Sequence, residues 1–149
     1  MNILITGAGR GLGYEMTAEA LERGHAVIAG IRNPDDPGDK MKELAGQYGD
    51  KITVARLDVE DEEGIADLAA KLASEGRTLG AIVNNAGILL ARDTGIEQLD
   101  MKDVAASFEI NLFGPIRVVK HFLPLLVEPQ ASLINISSEA GSLTICISE

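Results

Sequence analysis

The chain alternates between short runs of consecutive apolar residues and longer stretches whose apolar positions recur three and four apart. The short runs predict strands at Asn2–Thr6, Ala26–Ile31, Ile52–Leu57, Ala81–Asn84 and Ser132–Ser137. The longer stretches predict helices at Gly11–Arg23, Gly38–Tyr48, Glu60–Ser74 and Asp100–Leu126. Runs such as "ILI", "VIAGI", "AIV" and "LINI" lack in-out alternation, as expected of strands buried on both faces of a parallel sheet. The expectation is a doubly wound α/β fold with helices on both faces. Element ends carry matching signals: Gly24 follows the first helix, and Asp58 precedes "EDEE", whose acids would sit at the positive end of the next helix dipole. One loop, "RNPDDPGD" from Arg32 to Asp39, has the composition of a turn.

Bulk properties narrow the function classes. A chain of 149 residues is of one-domain length and can bury roughly 70% of its unfolded surface, so residues 1–149 are expected to form a single domain. The one cysteine, Cys146, cannot form an internal bridge, and the N-terminal residues lack the pattern of an export signal. No apolar stretch approaches the ~20 residues needed to cross a bilayer. The expected location is the cytoplasm. With 13 Lys and Arg against 23 Asp and Glu, the net charge of −10 disfavours nucleic acid and anionic membrane as partners. An anionic ligand would have to be held by local groups.

Such a local site follows the first strand. "TGAGRGLG", Thr6 to Gly13, places glycines at the start of a helix, where unpaired N–H groups and the positive end of the dipole favour an anion. No Lys follows in the P-loop position, and G-x-G-x-x-G fails because its third position falls on Leu12 or Tyr14. The spacing present is T-G-x-x-x-G-x-G, carried by Thr6, Gly7, Gly11 and Gly13. A tight strand-to-helix turn could use some of these glycines, but a turn alone seldom needs four.

Further motifs follow in order: "LDV" at Leu57–Val59, "NNAG" at Asn84–Gly87, "N-x-x-G" at Asn111–Gly114 and "NISS" at Asn135–Ser138. Together with the glycine turn, this series resembles the short-chain dehydrogenase/reductases over almost the whole chain, and the opening resembles small carbonyl-reductase-like members. The resemblance implies a Rossmann-type sheet of strand order 3-2-1-4-5 and a nicotinamide dinucleotide cofactor. Its implied contacts are Gly7, Gly9, Arg10, Gly11, Leu12, Gly13, Arg32, Asp58, Val59, Asn85, Ala86 and Gly87. In that reading Asp58 accepts from the adenine amino group and Val59 packs beside the ring. The "NNAG" backbone then passes the ribose while Asn84 ties neighbouring strands together. Plainer readings exist: Asp58 could be a helix N-cap, the two asparagines could be strand-end polar residues, and Gly87 could merely turn the chain.

Two arginines bear on which cofactor is bound. An acid commonly ends the second strand in NAD sites, whereas an Arg there accommodates the 2'-phosphate of NADP. Here the strand ends in Ile31 and Arg32, with no acid before Asp35, and Arg10 lies within the glycine turn. NADP(H) is therefore expected over NAD, unless both arginines are ordinary solvated side chains. At ~4 Å and an effective dielectric near 20, one such contact is worth about 4 kcal/mol before desolvation, while charges beyond ~10 Å are largely screened.

The residues for chemistry are fewer. At three- and four-residue spacing Asn111 shares a stripe with Val104, Phe108, Pro115, Val118 and Phe122, which predicts an inward-facing amide in need of partners. A satisfied core Asn is the plainer reading. The resemblance implies that Asn111 sits at a local helix distortion and that its backbone carbonyl holds a water of a proton relay; Gly114 and Pro115 would permit a kink. It also implies that Ser138 hydrogen-bonds the substrate oxygen, although Ser137 and Ser138 could simply end a strand. No nucleophile elbow supports a covalent serine mechanism. The family's Y-x-x-x-K pair, expected after Ser138, has no counterpart: Tyr14 and Tyr48 both precede the serine.

The sequence reading is thus the N-terminal part of an NADP(H)-dependent oxidoreductase acting on a carbonyl or alcohol, with an apolar fifth-strand edge awaiting further strands. In this reading the 149-residue chain alone is inactive, and the intact protein is a dimer or tetramer by family resemblance. The alternative is a non-catalytic NADP-binding or interaction protein. No metal site is expected.

Overall fold

The computed structural model describes residues 1–138. Five strands form one parallel sheet: β1 (Asn2–Thr6), β2 (Ala26–Ile31), β3 (Ile52–Arg56), β4 (Ala81–Asn84) and β5 (Ser132–Asn135), in the order β3-β2-β1-β4-β5. The helices are α1 (Gly11–Glu22), α2 (Asp39–Tyr48), α3 (Glu62–Ser74), α4 (Met101–Phe108) and α5 (Gly114–Phe122). The doubly wound Rossmann-type architecture expected from the apolar runs is the one observed.

The sheet separates two cores, because successive side chains of a strand point to opposite faces. Leu4, Ile28 and Ile82 pack with Ile65 and Leu72 of α3 and with Val118 and Phe122 of α5. Ile5, Val27, Ala29 and Val83 pack with Ala20 and Leu21 of α1 and with Met41 and Leu44 of α2. Phe122 is fully buried, and burial of a side chain of this size contributes about 1.5–3 kcal/mol. All of β5 is solvent-exposed, with Leu133 and Ile134 on the open edge of the described sheet.

The element ends follow local chemistry. Gly24, at φ +82°, closes α1 as its N–H donates to Leu21 O while His25 N–H donates to Ala20 O. Two expected strands run past the regular ladder: Leu57 N–H still donates to Ile31 O, and Ile136 N–H to Asn84 O, beyond the ends of β3 and β5.

Two expectations need correction. The N-cap of α3 is Asp61, whose Oδ1 accepts from Gly64 N–H at 3.0 Å, and α3 begins at Glu62. Asp58 instead accepts from Glu60 N–H at 3.1 Å, making a turn ahead of the helix. The single helix expected over Asp100–Leu126 is divided: α4 runs into a π-helical turn, Glu109–Phe113, which leads to α5 and then a 3₁₀ turn, Leu123–Leu125. A π turn carries extra residue per turn, so a stripe extrapolated at 3.6 residues loses register across it. Downstream the stripe holds, with Gly114, Val118 and Phe122 buried; upstream Phe108 is 54% exposed.

Candidate functional site

A cleft of about 660 Å³ opens at the carboxyl ends of β1, β2 and β4, with the segment after β3 as a further wall. This is the end of an open α/β sheet at which ligands bind. Its floor is the turn between β1 and α1. Gly7 has φ +66°, and a Cβ there would lie 2.9 Å from Ala86 Cα, so only glycine lets the two loops approach this closely. Gly9, Gly11, Leu12 and Gly13 complete this face, with Arg10 as the half-in residue ahead of α1. No side chain caps α1, so the helix N-terminus presents bare backbone to the cleft.

The loop after β4 is fastened to this turn. Thr6 Oγ1 accepts from the N–H groups of Asn85 and Ala86, each at 3.0 Å. The Asn85 amide donates to Thr6 O at 3.0 Å and Gly7 O at 3.3 Å. Asn84 Nδ2 donates to Asn135 Oδ1 at 2.8 Å, linking β4 to β5. The two asparagines therefore do different work: Asn84 joins strands and Asn85 shapes the turn.

The remaining walls contain the other residues singled out by sequence. Asp58 and Val59 line the cleft after β3, and Arg32 lies beyond β2 with Asn33, Asp36 and Pro37. Arg10 and Arg32 are both exposed. Among the described residues, the ion pairs do not include Arg10 or Arg32, and these two are the cations in the lining of the cleft. The nearest cleft acid beyond Arg32, Asp36, faces Lys42 at 3.5 Å. All twelve residues expected to contact a cofactor thus line one cleft.

Asn111 lies in the π turn but is exposed, contrary to the inward position expected for it. The register change across the π turn is the reason. Its amide is nevertheless paired at both ends: Oδ1 accepts from Ile88 N–H at 2.9 Å and Nδ2 donates to Ile88 O at 2.8 Å. Through this pairing it holds the backbone just past Gly87, at the cleft rim. Ser138 is exposed beyond the end of β5 and does not line the cleft. Tyr14 and Tyr48 pack against the α1–α2 core, away from the cleft.

One residue at the site was missed. Arg117 of α5 donates through Nη1 to Val59 O at 3.1 Å and pairs through Nη2 with the Glu109 carboxylate. Its signal in the sequence was faint: a single Arg between Ile116 and Val118 reads as an ordinary helix-surface cation.

Glu62, in the first turn of α3, lies 2.5 Å from Lys120 Nζ and 3.1 Å from His121 Nε2. Hydrogen bonding to Lys120, and then to His121, holds its carboxyl below the usual carboxylate range. Asp61 is likewise lowered, chiefly by the Gly64 N–H and then by Arg56 at 2.6 Å. Among the described residues there is no cluster suited to a metal ion, and no helix is long and apolar enough to cross a membrane.

Comparison with known proteins sets this geometry in context. Residues 1–146 match the family described as short chain dehydrogenase. Human 17-beta-hydroxysteroid dehydrogenase type 2 is 36% identical over 141 residues, which are 93% of this chain and 36% of that protein. The NADP-dependent 3-hydroxy acid dehydrogenase YdfG of Shigella flexneri is 32% identical over 143 residues, 95% of this chain and 56% of that protein. The NADPH-bound carbonyl reductase from chicken fatty liver superposes with a TM-score of 0.87 at 28% identity, covering 99% of this chain and 63% of that structure. The chain thus spans roughly a third to just over half of the curated relatives' lengths.

Proposed function

The chain belongs to the short chain dehydrogenase family, and on that premise we propose that its cleft binds NADP(H) for hydride transfer between the nicotinamide and a carbonyl or alcohol substrate. The observation that carries the cofactor assignment is the pair of uncommitted guanidinium groups, Arg10 and Arg32, at a cleft where no acid ends β2. The residues fit the group. The bare N-terminus of α1 and the glycine turn suit a diphosphate, and the closeness of Gly7 to Ala86 leaves backbone as the floor of that subsite. Asp58, which lines the cleft with Oδ1 accepting from Glu60 N–H, would offer a carboxylate oxygen to an adenine amino group, and Val59 would supply an apolar wall beside the ring. The NADP dependence in the name of the Shigella relative, and the NADPH in the chicken structure, agree with this reading.

The bound dinucleotide would supply the hydride. This chain's own residues bind and orient. Arg10 and Arg32 would neutralise the 2'-phosphate, and the turn between β1 and α1 would hold the diphosphate. Asn111 keeps the rim at Ile88 in place, and its backbone carbonyl would serve a proton-carrying water; Ser138, just outside the cleft lining, would donate a hydrogen bond to the substrate oxygen in the intact protein. The substrate class, a small carbonyl or alcohol compound, belongs to the intact protein.

Fluorescence titration with NADPH and NADH tests the cofactor assignment. The wild-type chain is expected to bind NADPH more tightly, and Arg32→Asp with Arg10→Ala to reduce that preference about 10- to 100-fold, the value of one or two charge-assisted contacts. Failure to bind either nucleotide would refute the site, and an unaltered preference in the double variant would refute the role of the arginines.

A further inference from the structure

Arg117 touches two elements that belong to opposite walls of the cleft. One side of its guanidinium holds the carbonyl of Val59, in the wall formed after β3. The other holds Glu109, the first residue of the π turn that carries Asn111, and Asn111 in turn clamps Ile88 on the wall formed after β4. The Arg117 side chain is 20% exposed, far less than an ordinary surface arginine, and its Nε lies 4.0 Å from Glu62 on α3.

The pairing across eight residues is informative. In a regular helix, residues eight apart are separated by about 12 Å along the axis, too far for the usual helical pairs at three or four residues. Here Glu109 and Arg117 reach toward each other across the π turn and tie its first residue to α5. At the same level α5 comes against the wall itself: a Cβ on Gly114 would lie 2.9 Å from Val59 Cβ. Val59 is thus held through its side chain by the α5 backbone and through its carbonyl by Arg117. A planar guanidinium serves two acceptors in fixed directions, which an ammonium on a flexible stem does not.

We propose that Arg117 is a positioning residue of the nucleotide site, joining the Asp58–Val59 wall to the π turn so that Asn111 and the adenine-side wall keep one fixed relation. Arg117 acts through Val59 and Glu109 and does not line the cleft. The nucleotide part of this inference rests on the cofactor assignment above; the coupling of the two walls does not.

The test uses Arg117→Met, which keeps the apolar stem, Arg117→Lys, and Glu109→Ala. Three quantities are read on each: NADPH affinity, hydrogen exchange of the Ile88 amide, and the urea midpoint. Arg117→Met is expected to weaken NADPH binding about tenfold and to speed Ile88 exchange about tenfold. Arg117→Lys should restore affinity only in part, since one ammonium cannot hold both acceptors. Glu109→Ala leaves the bond to Val59 in place, so it should speed Ile88 exchange while changing NADPH affinity less than about threefold. A folded Arg117→Met protein with wild-type affinity would overturn the proposal, and so would unchanged Ile88 exchange in Glu109→Ala. Should Arg117→Met not fold, the Glu109→Ala exchange decides the coupling. A wild-type chain that binds neither nucleotide would instead count against the cofactor assignment, because Ile88 exchange needs no nucleotide.

Discussion

Thr6 accepts the backbone N–H of Asn85 across 3.0 Å, and Asn85 returns a side-chain hydrogen bond of the same length to the Thr6 carbonyl. This reciprocal pair, together with the second N–H from Ala86, joins the carboxyl ends of β1 and β4 where the cleft begins. Thr6 is buried, so water cannot replace the hydroxyl. Thr6→Val keeps the shape and removes the acceptor, leaving two N–H groups unpaired. The expected loss is about 2–4 kcal/mol, at about 1–3 kcal/mol for each unsatisfied group with partial relaxation, read as a lower urea midpoint; Thr6→Ser should retain most of the stability. A Val variant as stable as wild type would show that the loop finds other partners.

Gly114 offers a second measurement. The space that lets α5 lie against Val59 is smaller than a methyl group, so Gly114→Ala must push the helix and the Asp58–Val59 wall apart. Overpacking of this kind costs about 1–3 kcal/mol, which exceeds the gain of about 1 kcal/mol from replacing glycine within a helix. Net destabilisation is expected in chemical denaturation. Stabilisation would mean that the wall yields without cost.

Acid sensitivity should follow Asp61 and Glu62. Both carboxyls are held below their ordinary values in the folded chain, Asp61 by the Gly64 N–H and Glu62 by Lys120. A folded-state depression gives stability that is fully present above the unfolded carboxylate range and is lost as pH falls through the lower folded values. Stability should therefore decline as pH drops below the ordinary carboxylate range, and the decline should be shallower in Glu62→Gln. Both groups are partly open to solvent, so the effect should also shrink in high salt. Parallel pH profiles for wild type and Glu62→Gln would remove Glu62 from this account.

Much of the architecture was legible because buried parallel strands are written as apolar runs. Residues such as Leu4, Ile28 and Ile82 had only to be counted. The cleft was legible for a related reason: glycine at Gly7 and the paired amides at Asn84 and Asn85 are costly choices away from a close backbone approach. The distortion of the long helix at Asn111 was implied by the family resemblance, and a π turn lies there; its effect on register was not legible, since a π turn leaves the composition of its segment unchanged while displacing every upstream position. Hence Asn111 lies exposed at the rim, where an uninterrupted stripe would have placed it inside. Arg117 escaped notice because its partners, Val59 and Glu109, are distant or unusual in spacing, and one-dimensional periodicity registers neither.

The division of the long helix gives its two parts unequal freedom to vary. From Gly114 onward, every substitution on the sheet-facing side is answered by the tightly filled interior. Ahead of Glu109, positions such as Met101 and Phe108 stand free of that restraint. Replacements at Met101 or Phe108 should therefore cost this fold far less than replacements at Val118 or Phe122.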